Sequence, residues 1–408
     1  MDKRRMHMLR DRMEKELRDN ILRFWIQHAP SGSDGGFHGA IRVPCDPVPD
    51  APRSLVLNAR ILWTYSASYR GLGDPQYLEM ANRAFLNLMN HFLDREHGGM
   101  FWMLDRKNTV VDAKKQTYGN AFAIYALAEY HRATGIPEAR EAAIELYRIV
   151  ECHTHDPVHG GYLEACTRNW LPLEDMTLSS KECNAPKTMN THLHMLEAYT
   201  NLYRIWPDSC LVERIREMLR IFSDHIVADG EDRFLLYFDM EWHSLSRTVS
   251  FGHDIEGSWL LDEAAEVLAD PTLEAQIGDL SVRMARRALL HGLDPVHGGM
   301  YDELSDHVLH DGKVWWVQAE AVVGFMNAWR HTGDEVFLEA MLDTWMFTDA
   351  HLIDHAFGEW FGATDASGRH GYAQSTERQQ KAGPWKCPYH NARMCLEMLH
   401  RLDRAMGA

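Results

Sequence analysis

The chain has 408 residues, 45% hydrophobic and 25% charged, so it is globular and long enough to bury a large core. A formal charge of −17 with no Lys/Arg cluster argues against a nucleic-acid binder, because phosphate contacts need a basic face. Seven scattered cysteines without a CxxC pair argue against a zinc or disulfide framework and suit reduced thiols in a cytoplasm.

The N-terminal stretch MDKRRMHMLRDRMEKELRDNILRFW is charged throughout and has no apolar run of signal-peptide or membrane-spanning length. It predicts the first amphipathic helix of a soluble cytoplasmic protein with no membrane partner. Next come SLVLNARILWTYSASYR (54–70) and PQYLEMANRAFLNLMNHFLD (75–94), both apolar at three- and four-residue spacing. TYGNAFAIYALAEYHRATG pairs in the same way with PEAREAAIELYRIVECH, and KTMNTHLHMLEAYTNLYRI with LVERIREMLRIFSDHIV. Three further pairs open at FGHDIEGSWLLDEAAEVL, VWWVQAEAVVGFMNAWRHTG and PYHNARMCLEMLHRL.

A Gly-aromatic turn separates the pairs: SDGGFHG (33–39), REHGGMFW (95–102), DPVHGGYLE (156–164), EDRFLLYFD (231–239), DPVHGGMYDE (294–303) and HAFGEWFG (355–362). Gly36 to Gly98 and Gly98 to Gly160 are both 62 residues, which marks an internal repeat. In each pair one helix is more apolar than the other. The pattern predicts an all-α fold: an (α/α)6 barrel of twelve helices in two concentric layers, with short β-hairpins or loops at one end. The main rival is an open superhelix, which would need caps that neither terminus resembles. With no Pro/Ser-rich linker, residues 1–408 are expected to form a single catalytic domain.

Near the start of each apolar helix stands an unusual polar or aromatic residue: Arg60; Tyr118; Asn190 with His194; His253 with Glu256; Trp315 and Trp316 with Glu320; and Trp385 with His390. Parallel inner helices would bring all of these to one mouth. Asn190 and His194 are i and i+4, and His253 and Glu256 are i and i+3, so each pair shares a helix face. Helix N-termini favour oxygen-rich ligands, and flat indole and phenol rings suit the C–H face of a sugar. Taken singly, a buried His or Trp is more often plain core; six equivalent positions are harder to explain that way.

A metal site is disfavoured, since there is no HExxH and His192 and His194 project about 200° apart on a helix. A glycosidase needs two acids flanking the bond, whereas this mouth offers Glu256 and Glu320 beside three imidazoles. Imidazole moves protons near neutral pH, so proton transfer at carbon is the better match.

NARILWTYS (58–66), KQTYGNAFAIYALAEY (115–130), KTMNTHLHMLEAYTNLYR (187–204), FGHDIEGSWLL (251–261), KVWWVQAEAVVGF (313–325) and GPWKCPYHNARMCLE (383–397) closely resemble the cellobiose 2-epimerases, of the N-acylglucosamine 2-epimerase superfamily. The resemblance covers nearly the whole chain; Asn120, within YGNAF, is the one uncertain match. It implies an (α/α)6 barrel, no metal or other cofactor, and C2 epimerisation of the reducing-end sugar of β-1,4-linked disaccharides such as cellobiose, lactose and mannobiose. It implies His253 and His390 as the acid/base pair and His194 as a third essential imidazole. Arg60, Tyr118, Asn190, Glu256, Trp316 and Trp385 fall on substrate-binding positions, and Trp315 and Glu320 are read as binding residues beside them.

On this reading the sugar ring opens, C2 loses its proton, a cis-enediol(ate) forms, and the opposite face is reprotonated. Glu256 is expected to orient His253 or hold a sugar hydroxyl. A mannose or aldose–ketose isomerase, an N-acylglucosamine 2-epimerase, and a sugar-binding or glycosidase barrel stay open. A monomer is expected, with a homodimer as the alternative.

Overall fold

The computed structural model describes residues 2–32, 35–179, 182–371 and 380–407. Ser33 and Asp34, the start of the SDGGFHG stretch, lie outside the described residues. Twelve helices are present among those described. Six form an inner ring: α2 (Leu55–Leu72), α4 (Thr117–Thr134), α6 (Met189–Tyr203), α8 (Phe251–Leu268), α10 (Trp315–Thr332) and α12 (Tyr389–Met406). Six lie outside: α1 (3–28, with π-type turns over Glu16–Leu22), α3 (75–92), α5 (Pro137–Thr154), α7 (209–226), α9 (Pro271–His291) and α11 (Glu335–His351).

Local chemistry sets the hairpins. Gly73, Gly135 and Gly333 end α2, α4 and α10 in the left-handed conformation, and Asp74 and Asp334 then cap α3 and α11. Such short connections force each inner helix and the next outer helix to lie antiparallel. Inner helices are covered on every side, so every residue from Leu55 to Ser68 is buried, whereas α3 and α7 bury one stripe.

Each inner helix packs on the next, and α12 returns to α2, so the ring is closed and the open superhelix is excluded. The sixth outer helix is not downstream of α12. It is α1, which packs against α12 from the other end of the chain. Strands repeat the closure. The short strand before each inner helix pairs antiparallel with the strand after the following outer helix, as Arg53–Ser54 does with Met103–Leu104 and Lys115–Gln116 with Ala165–Cys166. The last pair joins the termini, Ile41 opposite Ala382.

A polar side chain on the first turn of five of the six inner helices latches the helix to a Gly-aromatic turn. Asn120, Asp254 and Gln318 accept from the backbone N–H of Met100, Phe234 and Met300 at 2.9, 2.8 and 2.7 Å. His192 accepts from Tyr162 N–H through Nε2 at 2.9 Å. Asn391 reaches the equivalent turn through Glu359, and Asn58 holds Asn87 of α3. Buried Lys–Asp pairs (Lys115–Asp94, Lys187–Asp156, Lys313–Asp294, Lys381–Asp354) tie four strands to the same turns. The result is a rigid rim at the N-terminal ends of the inner helices. No helix of the described residues is long and apolar enough to cross a membrane.

Candidate active site

That rim encloses a cavity of about 690 Å³, whose wall includes Arg60, Tyr118, Asn190, His194, His253, Glu256, Trp315, Trp316, Trp385 and His390. Six inner helices deliver nine of the eleven sequence-predicted residues to one place, and the segment leading into α12 adds Trp385. Glu320 is the exception. Its carboxylate lies behind His390, accepting from His390 Nδ1 at 2.7 Å and from Trp259 Nε1 at 3.0 Å.

All three imidazoles are held by Nδ1. His390 uses Glu320, His194 uses Glu197 Oε2 at 2.9 Å, and His253 meets Ser250 Oγ at 2.7 Å. A carboxylate only accepts, so His390 and His194 carry the proton on Nδ1 and leave the Nε2 lone pair free to act as a base. The Trp316 ring lies 4.8 Å from the His253 ring and 5.5 Å from that of His390, centroid to centroid. Sharing that neighbour, the two imidazoles are within about 10 Å of each other.

Beneath them lies a charge cluster centred on Arg393. Its Nη2 donates to Glu256 Oε1 at 2.6 Å and Glu320 Oε1 at 2.7 Å, and its Nη1 to Glu197 and Tyr389. The Arg60 guanidinium donates to Tyr118 at 2.9 Å and lies over the Phe122 and Tyr389 rings at 4.2 and 4.8 Å. Asn190 Oδ1, Glu256 Oε2 and Arg60 Nε have no hydrogen-bond partner among the described residues, which leaves hydrogen-bonding capacity at the cavity wall.

Burial sets the protonation states. It lowers His253 to about 3, with help from neighbouring His194, and lowers His390 far below the usual range, with help from Arg60 and Arg393. His194 is lowered by burial against the pull of Glu197. Burial and repulsion from Glu320 push Glu256 up to about 8. Burial also acts to raise Glu197, but Arg393, His194 and Tyr389 together outweigh it and hold that carboxyl at about 2. The site rests as neutral imidazoles over a paired guanidinium, an arrangement fit to take a proton from carbon and return one.

Residues 35–392 match the family model for N-acylglucosamine 2-epimerase (GlcNAc 2-epimerase). The chain belongs to the N-acylglucosamine 2-epimerase family. It is 45% identical to a cellobiose 2-epimerase of Bacteroides fragilis over 96% of this chain and 99% of that protein. The structure of cellobiose 2-epimerase from Bacillus thermoamylovorans superposes with a TM-score of 0.91 at 35% identity, covering 97% of this chain and 100% of that one. That of Spirochaeta thermophila gives 0.87 at 38% identity, covering 98% of both chains.

Within this family fold, one expected relationship is corrected. Glu256 does not orient His253: its Oε1 is taken by Arg393 and lies 3.9 Å from His390 Nδ1, while Ser250 holds His253. Sequence reasoning also missed Arg393, Glu197 and Ser250. The signal for Arg393 was its register, two residues past the latch Asn391, as His194, Glu256 and Glu320 stand two past theirs and Arg60 two past Asn58.

Proposed function

We propose that this chain is a cellobiose 2-epimerase, acting on the reducing-end sugar of β-1,4-linked disaccharides. The observation that carries the reading is the pair His253 and His390 in one cavity, both packed against the Trp316 ring, because inversion at a carbon needs one group to take a proton and another to deliver one. The disaccharide opens at its reducing end, one imidazole removes the C2 proton, and the other reprotonates the opposite face of the cis-enediolate. His194 assists ring opening. Arg60 stabilises charge developing on O1 and O2, worth about 2–4 kcal/mol for a donor of this kind. Tyr118, Trp315, Trp316 and Trp385 hold the sugar rings, and Asn190 and Glu256 offer their unpartnered oxygens to hydroxyls.

The reaction runs without a metal. Glu256, Glu320 and His390 bring ligand atoms within 4.8 Å of one another, but Arg393 already donates to both carboxylates, so the cluster holds its own cation. The whole chain serves as one catalytic domain and a monomer suffices, since the cavity is built from this chain's own helices. A cytoplasmic location suits its free thiols.

Incubation with cellobiose, followed by chromatography for glucosyl-mannose, tests the proposal. Fructose formed from mannose, with cellobiose untouched, would favour the isomerase reading instead.

A further inference from the structure

Ser250 stands at the N-cap of α8, a position from which a Ser or Thr hydroxyl can stabilise a helix. The equivalent residues Ser54 and Thr188 do so: their hydroxyls accept from the backbone N–H of Leu57 and Thr191, both at 3.1 Å. Ser250 has the extended backbone of a cap, φ −106° and ψ 103°, yet its hydroxyl caps nothing. Oγ turns instead to Nδ1 of His253, 2.7 Å away. A local stabilising contact has been given up at a position whose only gain is the placement of one imidazole.

The partner also differs in kind. His390 and His194 rest on carboxylates, which accept and never donate. A serine hydroxyl rotates and does both, so it can accept a hydrogen bond from Nδ1–H of His253 or donate one to a bare Nδ1. We propose that Ser250 is a positioning residue for His253, holding the ring against Trp316 in either neutral tautomer while His390 stays fixed as a base by Glu320. This rests on the epimerase reading above. It makes the two faces of C2 unequal, because only the imidazole on the His253 side depends on a hydroxyl.

Wild type, Ser250→Ala, Ser250→Thr, Ser54→Ala and His253→Ala, as full-length chains, test it with cellobiose and with its 2-epimer in deuterated water. Deuterium entering unreacted sugar at C2 reports one base at a time, because proton removal and return occur on the same face. Ser250→Ala should keep the wild-type Tm, while Ser54→Ala lowers it. It should cut kcat at least about tenfold with KM little changed. It should slow deuterium entry into the one epimer that His253→Ala also silences, leaving the other epimer near wild type. Ser250→Thr should restore exchange. Equal loss for both epimers with a Tm drop like that of Ser54→Ala would mark a merely structural serine and overturn the assignment. So would unchanged kinetics in Ser250→Ala. A wild type inert on both sugars would overturn the epimerase reading and this role with it.

Discussion

His253 and His390 occupy the same place in two of the six repeats: each directly precedes the residue, Asp254 or Asn391, that latches its helix to a Gly-aromatic turn. The repeats are fourth and sixth, and the fifth supplies Trp316 between them. Pseudo-symmetry thus brings two imidazoles, from helices with one other between them in the ring, to the wall of one cavity.

Replacing either histidine by alanine should abolish epimerisation, a loss of about 10²-fold or more for a positioned acid/base group. Both variants should stay folded, since each ring faces the cavity and latches no turn. Proton NMR of the C2 position in deuterated water checks this. Near-normal exchange in His390→Ala would remove His390 from the pair.

Arg393→Met should destabilise the fold by about 3–5 kcal/mol, the usual cost of removing one partner from a buried charge cluster. It strands the Glu197 carboxylate and removes the donor that the Glu256 and Glu320 carboxyls share. Urea denaturation measures the loss. A change below about 1 kcal/mol would mean that those carboxyls need no cation.

The barrel was legible because the Gly turns recur at fixed spacing and the two helices of a pair differ in polarity. Closure by α1 was not: its outer-ring role depends on contact with α12, at the far end of the chain, which periodicity cannot report. Site residues were legible where they stood near a helix start. Arg393 was passed over because it stands one turn into α12, beyond His390 at the helix start, where an arginine reads as an ordinary helix residue. The i, i+3 spacing placed Glu256 on the face of His253, but shared facing says nothing about bonding. Arg393, brought from another helix, took that carboxylate instead.

Exhaustive dialysis against a chelator should leave epimerisation unchanged, because Arg393 already neutralises the one group of described residues able to gather round a metal ion. Activity lost on dialysis and restored by a divalent ion would place a metal at Glu256, Glu320 and His390 and displace Arg393 from its role.

Stability should fall as pH rises from about 6.5 to about 8. Burial pushes Glu16, Glu164 and Glu256 from 4.5 up to about 8, so across that window the folded chain keeps protons the unfolded chain has released. His253 works the opposite way. Burial lowers it from 6.5 to about 3, so the unfolded chain binds the extra proton between those values and stability climbs with pH until 6.5. Above that point only the carboxyl loss remains. Scanning calorimetry across the window should show a declining Tm, and a flat Tm would show these carboxyls ionised in the fold.

Gly252→Ala tests whether Trp316 must stand where it does. A Cβ at Gly252 would meet the Trp316 ring at 2.5 Å and Val317 Cγ2 at 2.7 Å. Alanine favours a helix by up to about 1 kcal/mol over glycine, while overpacking costs about 1–3 kcal/mol, so the fold should survive with a small net loss. The indole cannot stay in place, however, and it touches both His253 and His390. Turnover should drop and KM should rise together, since one ring both holds the sugar and packs against the two imidazoles. Steady-state kinetics on cellobiose decide it: wild-type constants in this variant would show that the indole beside the histidines is not needed for the reaction.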